Sequence, residues 1–227
     1  MDNAPSIRPF IRPLIYTPPT DPIDILYADE HTLIINKPAG LLSVPGKTPE
    51  MFDCLESRLQ AIYPHARIIH RLDLATSGIM VLAMTHKALR HIGLQFERRH
   101  VKKSYKAVVW GEVQGGSGHI NLPLICDWPN RPLQKVDFET GKSAQTDWHV
   151  TRRENGFTHL DLHPKTGRSH QLRVHLKEIG HPILGDPLYA HEDAYQASNR
   201  LMLHAHTLAF YHPDGGKWTE YETASPF

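Results

Sequence analysis

The sequence predicts an α+β fold, a mixed and largely antiparallel sheet with flanking helices. Three observations predict it. Segments of strand character outnumber segments of helical period, several strands follow one another directly, and apolar helical stripes occur at only three places.

Taken in order, residues 1–22 carry six prolines (Pro5, Pro9, Pro13, Pro18, Pro19 and Pro22) and no period, so they read as an extended, mobile leader. The folded domain is expected from Ile23 to Phe227. Ile25-Leu26-Tyr27 and Thr32 to Asn36 read as two short strands, the second ended by Lys37-Pro38-Ala39-Gly40. Residues 51–62 read as a helix with Leu55, Leu59 and Ile62 inward. The apolar run from Gly78 to Thr85 has the length of a buried strand. Residues 87–99 form a second helix with Leu89, Ile92 and Phe96 inward. Ser104 to Trp110 is a strand with Tyr105, Ala107 and Val109 on one face. Further strands are expected over His119–Ile125, Ala144–Arg152 and Phe157–His163. Ser169 can cap a third helix that carries Leu172, Leu176 and Ile179 and stops at Gly180-His181-Pro182. Leu201 to Tyr211 and Trp218 to Tyr221 close the list of strands.

Composition narrows the function. The chain is 40% hydrophobic, and no apolar run approaches a membrane span. No secretory signal pattern opens it, and Cys54 and Cys126 form no motif, which suits a reducing cytoplasm. Net charge is only +1, but Arg98, Arg99, Lys102, Lys103 and Lys106 fall within nine residues. Such a run reads either as a phosphate-binding patch or as a solvated helix end. The seventeen histidines are scattered, and neither His204/His206 nor His170/His175 has a third ligand at metal spacing. No dinucleotide or Walker loop is present, so neither metal nor nucleotide cofactor is expected.

Three segments line up as carriers of chemistry, one of them Lys103-Ser104-Tyr105-Lys106-Ala107. His70-Arg71-Leu72-Asp73-Leu74-Ala75-Thr76-Ser77-Gly78 sets one carboxylate, Asp73, between Arg71 and a turn-forming Thr-Ser-Gly. A nearby cation keeps a carboxylate ionised, as covalent catalysis at a sugar carbon requires. Thr166 to His175 packs Arg168, His170, Gln171, Arg173 and His175 into a helix start, which looks built for phosphate or a carboxylate.

These segments resemble the RluA-type family of RNA pseudouridine synthases. Asp73 with its neighbours resembles the family's catalytic loop, Asn36 to Gly46 its first motif, Tyr105 to Gly111 its second, and Thr166 to His175 its third. The likeness runs from about Asp24 to the C-terminus, with four motifs in the family's order. It implies the pseudouridine synthase catalytic fold, no cofactor, and a reaction that breaks the glycosidic bond of a uridine, turns the base and rejoins it through carbon. By resemblance Asp73 is the nucleophile or base. Tyr105 stacks on uracil and is the candidate base for proton movement, and Arg173 pairs with Asp73. Leu172 and Ile79 are expected to line the base pocket. Arg71 fills the space left by the flipped base, while His70, Arg168 and Lys37 are candidates for backbone contacts. Residues 122–132 and 138–146 are similar to members that act on both a tRNA anticodon stem-loop and a 23S rRNA stem-loop, so those RNAs are the expected partners. A cytoplasmic monomer is expected, and the leader leaves no room for the N-terminal RNA-binding module of many relatives. Two other readings stand beside this one. The first is a non-catalytic RNA-binding protein on the same scaffold. The second is a hydrolase, which would lack the usual second carboxylate.

Overall fold

The structure, a computed structural model, describes residues 15–227. Most of the proline-rich leader (1–14) therefore lies outside the described residues. The elements in chain order are β1 Asp24–Ala28, β2 Thr32–Lys37, α1 Leu55–Gln60, β3 Arg67–Ile68, β4 Ser77–Ala83, α2 His86–Glu97, β5 Lys102–Trp110 and β6 Ser117–Asn121. They continue with β7 Leu124–Cys126, β8 Gln134–Val136, β9 Gln145–Glu154, β10 Phe157–Pro164, α3 Gln171–Glu178, α4 Glu192–Gln196, β11 Leu203–Tyr211 and β12 Trp218–Glu222.

Ten strands form one sheet along the path β1-β2-β4-β11-β5-β10-β9-β6, with β12 on β11 and β3 on β4. β7 and β8 form a separate hairpin. Every named pairing among the described strands is antiparallel except β11 on β4, where His204 faces Ser77 and Ala205 faces Gly78. The mixed, mostly antiparallel sheet of the sequence reading is what the chain builds. Gly78 is needed at the parallel join: its φ is +118°, and a Cβ there would collide with the Ala205 backbone.

That join divides the core. One apolar cluster packs β2, β4 and α1 with Ile92 of α2 and Phe210 of β11, and a second packs β5, β10 and α3. Tyr105 packs against both. The strand predicted from Gly78 is buried along its whole length because both sheet faces are covered there.

Several expectations need correction. The helix over 51–62 is shorter: a 3-10 turn at Pro49–Phe52 precedes α1, and Ile62 is 65% exposed although Leu55 and Leu59 are buried. Pro64 disfavours helix in the residue before it, so the chain has left the helix at Ile62. The strand expected over His119–Ile125 breaks into β6 and β7 at Pro123, which has no N–H for the ladder. Ser169 does not cap α3. His170 is the N-cap, in a left-handed conformation (φ 53°, ψ 17°). The packed chain also begins before Ile23. Tyr16 donates its hydroxyl to the Asp53 carbonyl at 2.6 Å and accepts the Leu42 N–H, and the Pro19 carbonyl accepts from Arg58 at 2.7 Å.

Candidate active site

A cleft of about 460 Å³ opens where the two halves of the sheet meet. Its wall comes from the 70–76 loop, from Lys103 and Tyr105 of β5, and from the 164–173 segment that leads into α3. Three segments distant in sequence thus converge because β4, β11 and β5 are adjacent strands and α3 packs beside them.

Asp73 is strapped from both sides. Ser43 donates its hydroxyl to the Leu72 carbonyl at 2.8 Å and accepts the Leu72 N–H. The Leu74 carbonyl accepts from the Lys37 ammonium at 3.2 Å and from the Gly40 N–H at 2.9 Å. The backbone on each side of Asp73 is therefore fixed, while its side chain, 27% exposed, faces the cleft.

Arg173 reaches Asp73 through Nη1 at 3.3 Å from Oδ2. Its stronger partner is another carboxylate. Nε and Nη2 grip Asp186 bidentately at 2.8 and 2.6 Å, and both side chains are buried. Burial works against the guanidinium's charge, but Asp186 and then Asp73 outweigh it and hold its pKa above the ordinary value. The Arg173 guanidinium also lies over the Tyr189 ring, 5.1 Å from its centroid. Asp186 in turn accepts the N–H groups of Leu188 and Tyr189 at 2.9 and 3.2 Å.

Tyr105 lines the cleft from β5. Burial, with the Asp73 charge added, raises its phenol pKa, so the ring is neutral in the resting protein. Leu172 and Arg168 line the cleft as expected, Arg168 anchored through Nε to the Ser143 carbonyl at 3.0 Å.

Other expected site residues stand elsewhere. Arg71 is exposed at the rim, and the arginine beside Asp73 is Arg173, one hundred positions away in sequence. Arg71 therefore does not hold the carboxylate as its proximity in the motif suggested. Lys37 is fully buried, donating to the carbonyls of Pro38, Leu41 and Leu74, and cannot touch an RNA backbone. Burial pushes its ammonium down to about 7, with Asp73 opposing. Ile79 belongs to the apolar core and does not line the cleft. His70 lines the cleft but accepts the Val81 N–H at 3.2 Å and stacks on Phe96 at 4.6 Å. Burial, then Lys103, pushes its pKa down to about 3, so it brings no charge to a phosphate.

The donor-rich helix start is largely committed internally. Gln171 ties Thr166 and the Arg168 N–H to the Gln145 carbonyl, and His175 bonds Thr146 and the Leu122 carbonyl. Arg168, Ser169 and His170 remain at the cleft. Of the basic run from Arg98, Lys103 alone lines the cleft. Lys106 pairs with Asp161 at 2.6 Å, and Arg98, Arg99 and Lys102 are exposed.

Sequence reasoning missed Asp186 and Tyr189. Gly185-Asp186-Pro187 signals only a turn, and nothing local reveals that this turn lies opposite Arg173. Among the described residues no group of three His, Cys, Asp or Glu could hold a metal ion, and no helix is long and apolar enough to cross a membrane.

The sequence model of the RNA pseudouridylate synthase family matches residues 31–178, which hold both the Asp73 loop and Arg173. The chain belongs to that family. It is an isomerase that acts on RNA. It is 54% identical over 206 residues to the Dual-specificity RNA pseudouridine synthase RluA of Vibrio vulnificus, covering 88% of this chain and 82% of the relative. The protein of the same name from Escherichia coli K12 is 49% identical over 214 residues, covering 93% and 98%. Among solved structures, human RNA Pseudouridylate Synthase Domain Containing 1 superposes with a TM-score of 0.77 at 27% identity, covering 94% of this chain and 87% of that one. This pseudouridine synthase therefore carries its cleft on the family's fold.

Proposed function

We propose that this synthase converts uridine to pseudouridine in two RNAs, a tRNA anticodon stem-loop and a 23S rRNA stem-loop, with Asp73 as nucleophile on a base flipped out of the RNA. The observation that carries the reading is the Asp73 carboxylate itself. It is the one acidic side chain that lines the cleft among the described residues, and its backbone is braced on both sides. A braced carboxylate suits attack at C1′ of the ribose. The C1′–N1 bond then breaks, the freed uracil turns, and C5 attacks C1′ to displace the carboxylate. The C5 proton leaves last while N1 takes up a proton, so the product is an isomer of the substrate.

Flipping is required because the target atom is inaccessible in a stacked RNA. Tyr105 and Leu172 offer the flat and apolar surfaces that such a base needs. Arg71, Lys103 and Arg168 line the cleft, and basic side chains there suit contact with RNA phosphates. The dual-substrate reading rests on relatives named for dual specificity and on residues 122–132 and 138–146. Single-stranded loops let a base be splayed out and read. The reading includes a cytoplasmic monomer, a setting that free Cys54 and Cys126 suit.

The test uses tRNA and 23S rRNA transcripts tritiated at uracil C5, with label released to water as the readout. Release from both that stops in Asp73→Asn supports the proposal. Release of free uracil identifies a hydrolase, and binding without release identifies a non-catalytic RNA-binding protein. A rate lowered by deuterium at C2′ would replace attack at C1′ with proton removal by Asp73.

A further inference from the structure

We propose that His170 is a second positioning residue for Asp73, its imidazole set by Tyr189 to present Nε2–H to the carboxylate. The inference rests on Asp73 being the reacting group.

Arg173 stands at Oδ2 of Asp73, at 3.3 Å, and His170 Nε2 stands at Oδ1, at 3.9 Å. The two donors flank the two oxygens. The other imidazole nitrogen, Nδ1, lies 2.7 Å from the Tyr189 hydroxyl, and the rings meet edge to face. That hydroxyl already accepts the Gln134 N–H at 2.9 Å. Its own hydrogen therefore needs an acceptor, and His170 Nδ1 is the one in reach among the described residues.

The protonation states agree. Burial raises the Tyr189 phenol pKa, so the hydroxyl keeps its proton. Burial lowers that of His170 against the pull of Asp73, which leaves a neutral ring with one donor and one acceptor. With Nδ1 accepting from Tyr189, the donor is Nε2, and it faces an acceptor-only carboxylate. The reverse tautomer would set a lone pair against the Asp73 charge.

His170 is also held where a side chain is disfavoured. Its φ of 53° is left-handed, a conformation that residues with a Cβ adopt uncommonly. At 3.9 Å the contact to Asp73 is too long for a hydrogen bond in the free protein. Catalytic hydrogen bonds commonly tighten once substrate fills the site. His170 then fixes the plane of the carboxylate that Arg173 holds at one oxygen.

Two measurements test this. Long-range proton–nitrogen NMR on histidine-labelled enzyme reads the tautomer directly. We expect His170 to be Nε2–H in the native protein and a mixture in Tyr189→Phe, and Nδ1–H in the native protein overturns the proposal. Single-turnover tritium release from a C5-labelled tRNA transcript supplies the second arm. His170→Asn keeps the left-handed backbone but cannot reach Asp73. We expect its rate to fall about ten- to a hundredfold, as for loss of one hydrogen bond to a charged group, with the RNA Kd within about threefold. His170→Gln, whose amide N–H extends further, should recover part of the rate. An unchanged rate in His170→Asn, or a weaker Kd at unchanged rate, overturns the role. Native enzyme and Asp73→Asn run in parallel. If Asp73→Asn releases label as the native enzyme does, the reading of Asp73 fails, whatever His170 does.

Discussion

Asp186→Asn removes one charge from a buried ion pair and leaves the other behind. Asp186 Oδ2 accepts from Arg173 Nε at 2.8 Å, and Oδ1 accepts from Nη2 at 2.6 Å and from the Leu188 and Tyr189 N–H groups. Asparagine keeps one acceptor oxygen but turns an N–H₂ against a guanidinium N–H. The side chains are 3% and 1% exposed, so water does not screen the loss. Removing one partner of a buried pair costs about 3–5 kcal/mol, and the retained oxygen argues for the lower end, about 3 kcal/mol. For a chain of this length that corresponds to a Tm lower by roughly 6–12 °C. Without the bidentate grip, Arg173 loses its aim at Asp73. Single-turnover tritium release should fall at least about tenfold, the scale of one hydrogen bond to a charged group, while RNA affinity changes little. Calorimetry and the release assay on the same preparation check both. A Tm within about 2 °C of the native value, less than one kcal/mol allows, together with an unchanged rate, would show that α3 alone positions Arg173.

Tyr105→Phe keeps the ring in the cleft and removes the hydroxyl, so RNA binding should persist while tritium release is lost; unimpaired release would leave the ring a packing role only. Lys37→Met leaves the carbonyls of Pro38, Leu41 and Leu74 without their shared donor. At about 1 kcal/mol for each hydrogen bond, denaturant unfolding should show a loss of roughly 3 kcal/mol. Folding lowers the His70 pKa from 6.5 to about 3. Between those values the unfolded chain binds a proton that the folded chain does not, so this group's contribution to stability is lost as pH falls through that window. In His70→Gln the decline in unfolding free energy over the same window should be shallower, and an identical slope would show that His70 does not titrate on unfolding.

Much of the fold is legible because local rules and the tertiary structure agree. The apolar run from Gly78 is buried on both faces, and the alternation of Tyr105, Ala107 and Val109 places them along β5 as expected. The errors fall where a proline cut an element short, at Ile62 and at Pro123, and in short pieces such as β3, β8 and α4 whose few residues carry no period. The site divides in the same way. Asp73, Tyr105 and Arg173 were found through motifs, and the structure brings them to one cleft. Lys37 and Ile79 were misplaced because a motif marks what a site needs without saying whether a residue touches substrate or supports the loop that does.

By itself the sequence determines the strand-rich class, the burial of the central strand and the three segments that hold chemistry, since propensity, period and residue type are local properties. The partner of the Asp73 carboxylate is decided by the tertiary structure alone. Arg71 is two residues from Asp73 yet exposed, while Arg173, far off in sequence, meets it and is gripped by Asp186. The physical reason is that charge pairing depends on distance and burial in space. Those are set only when β11 joins β4 in parallel and lays β5 and α3 beside the Asp73 loop.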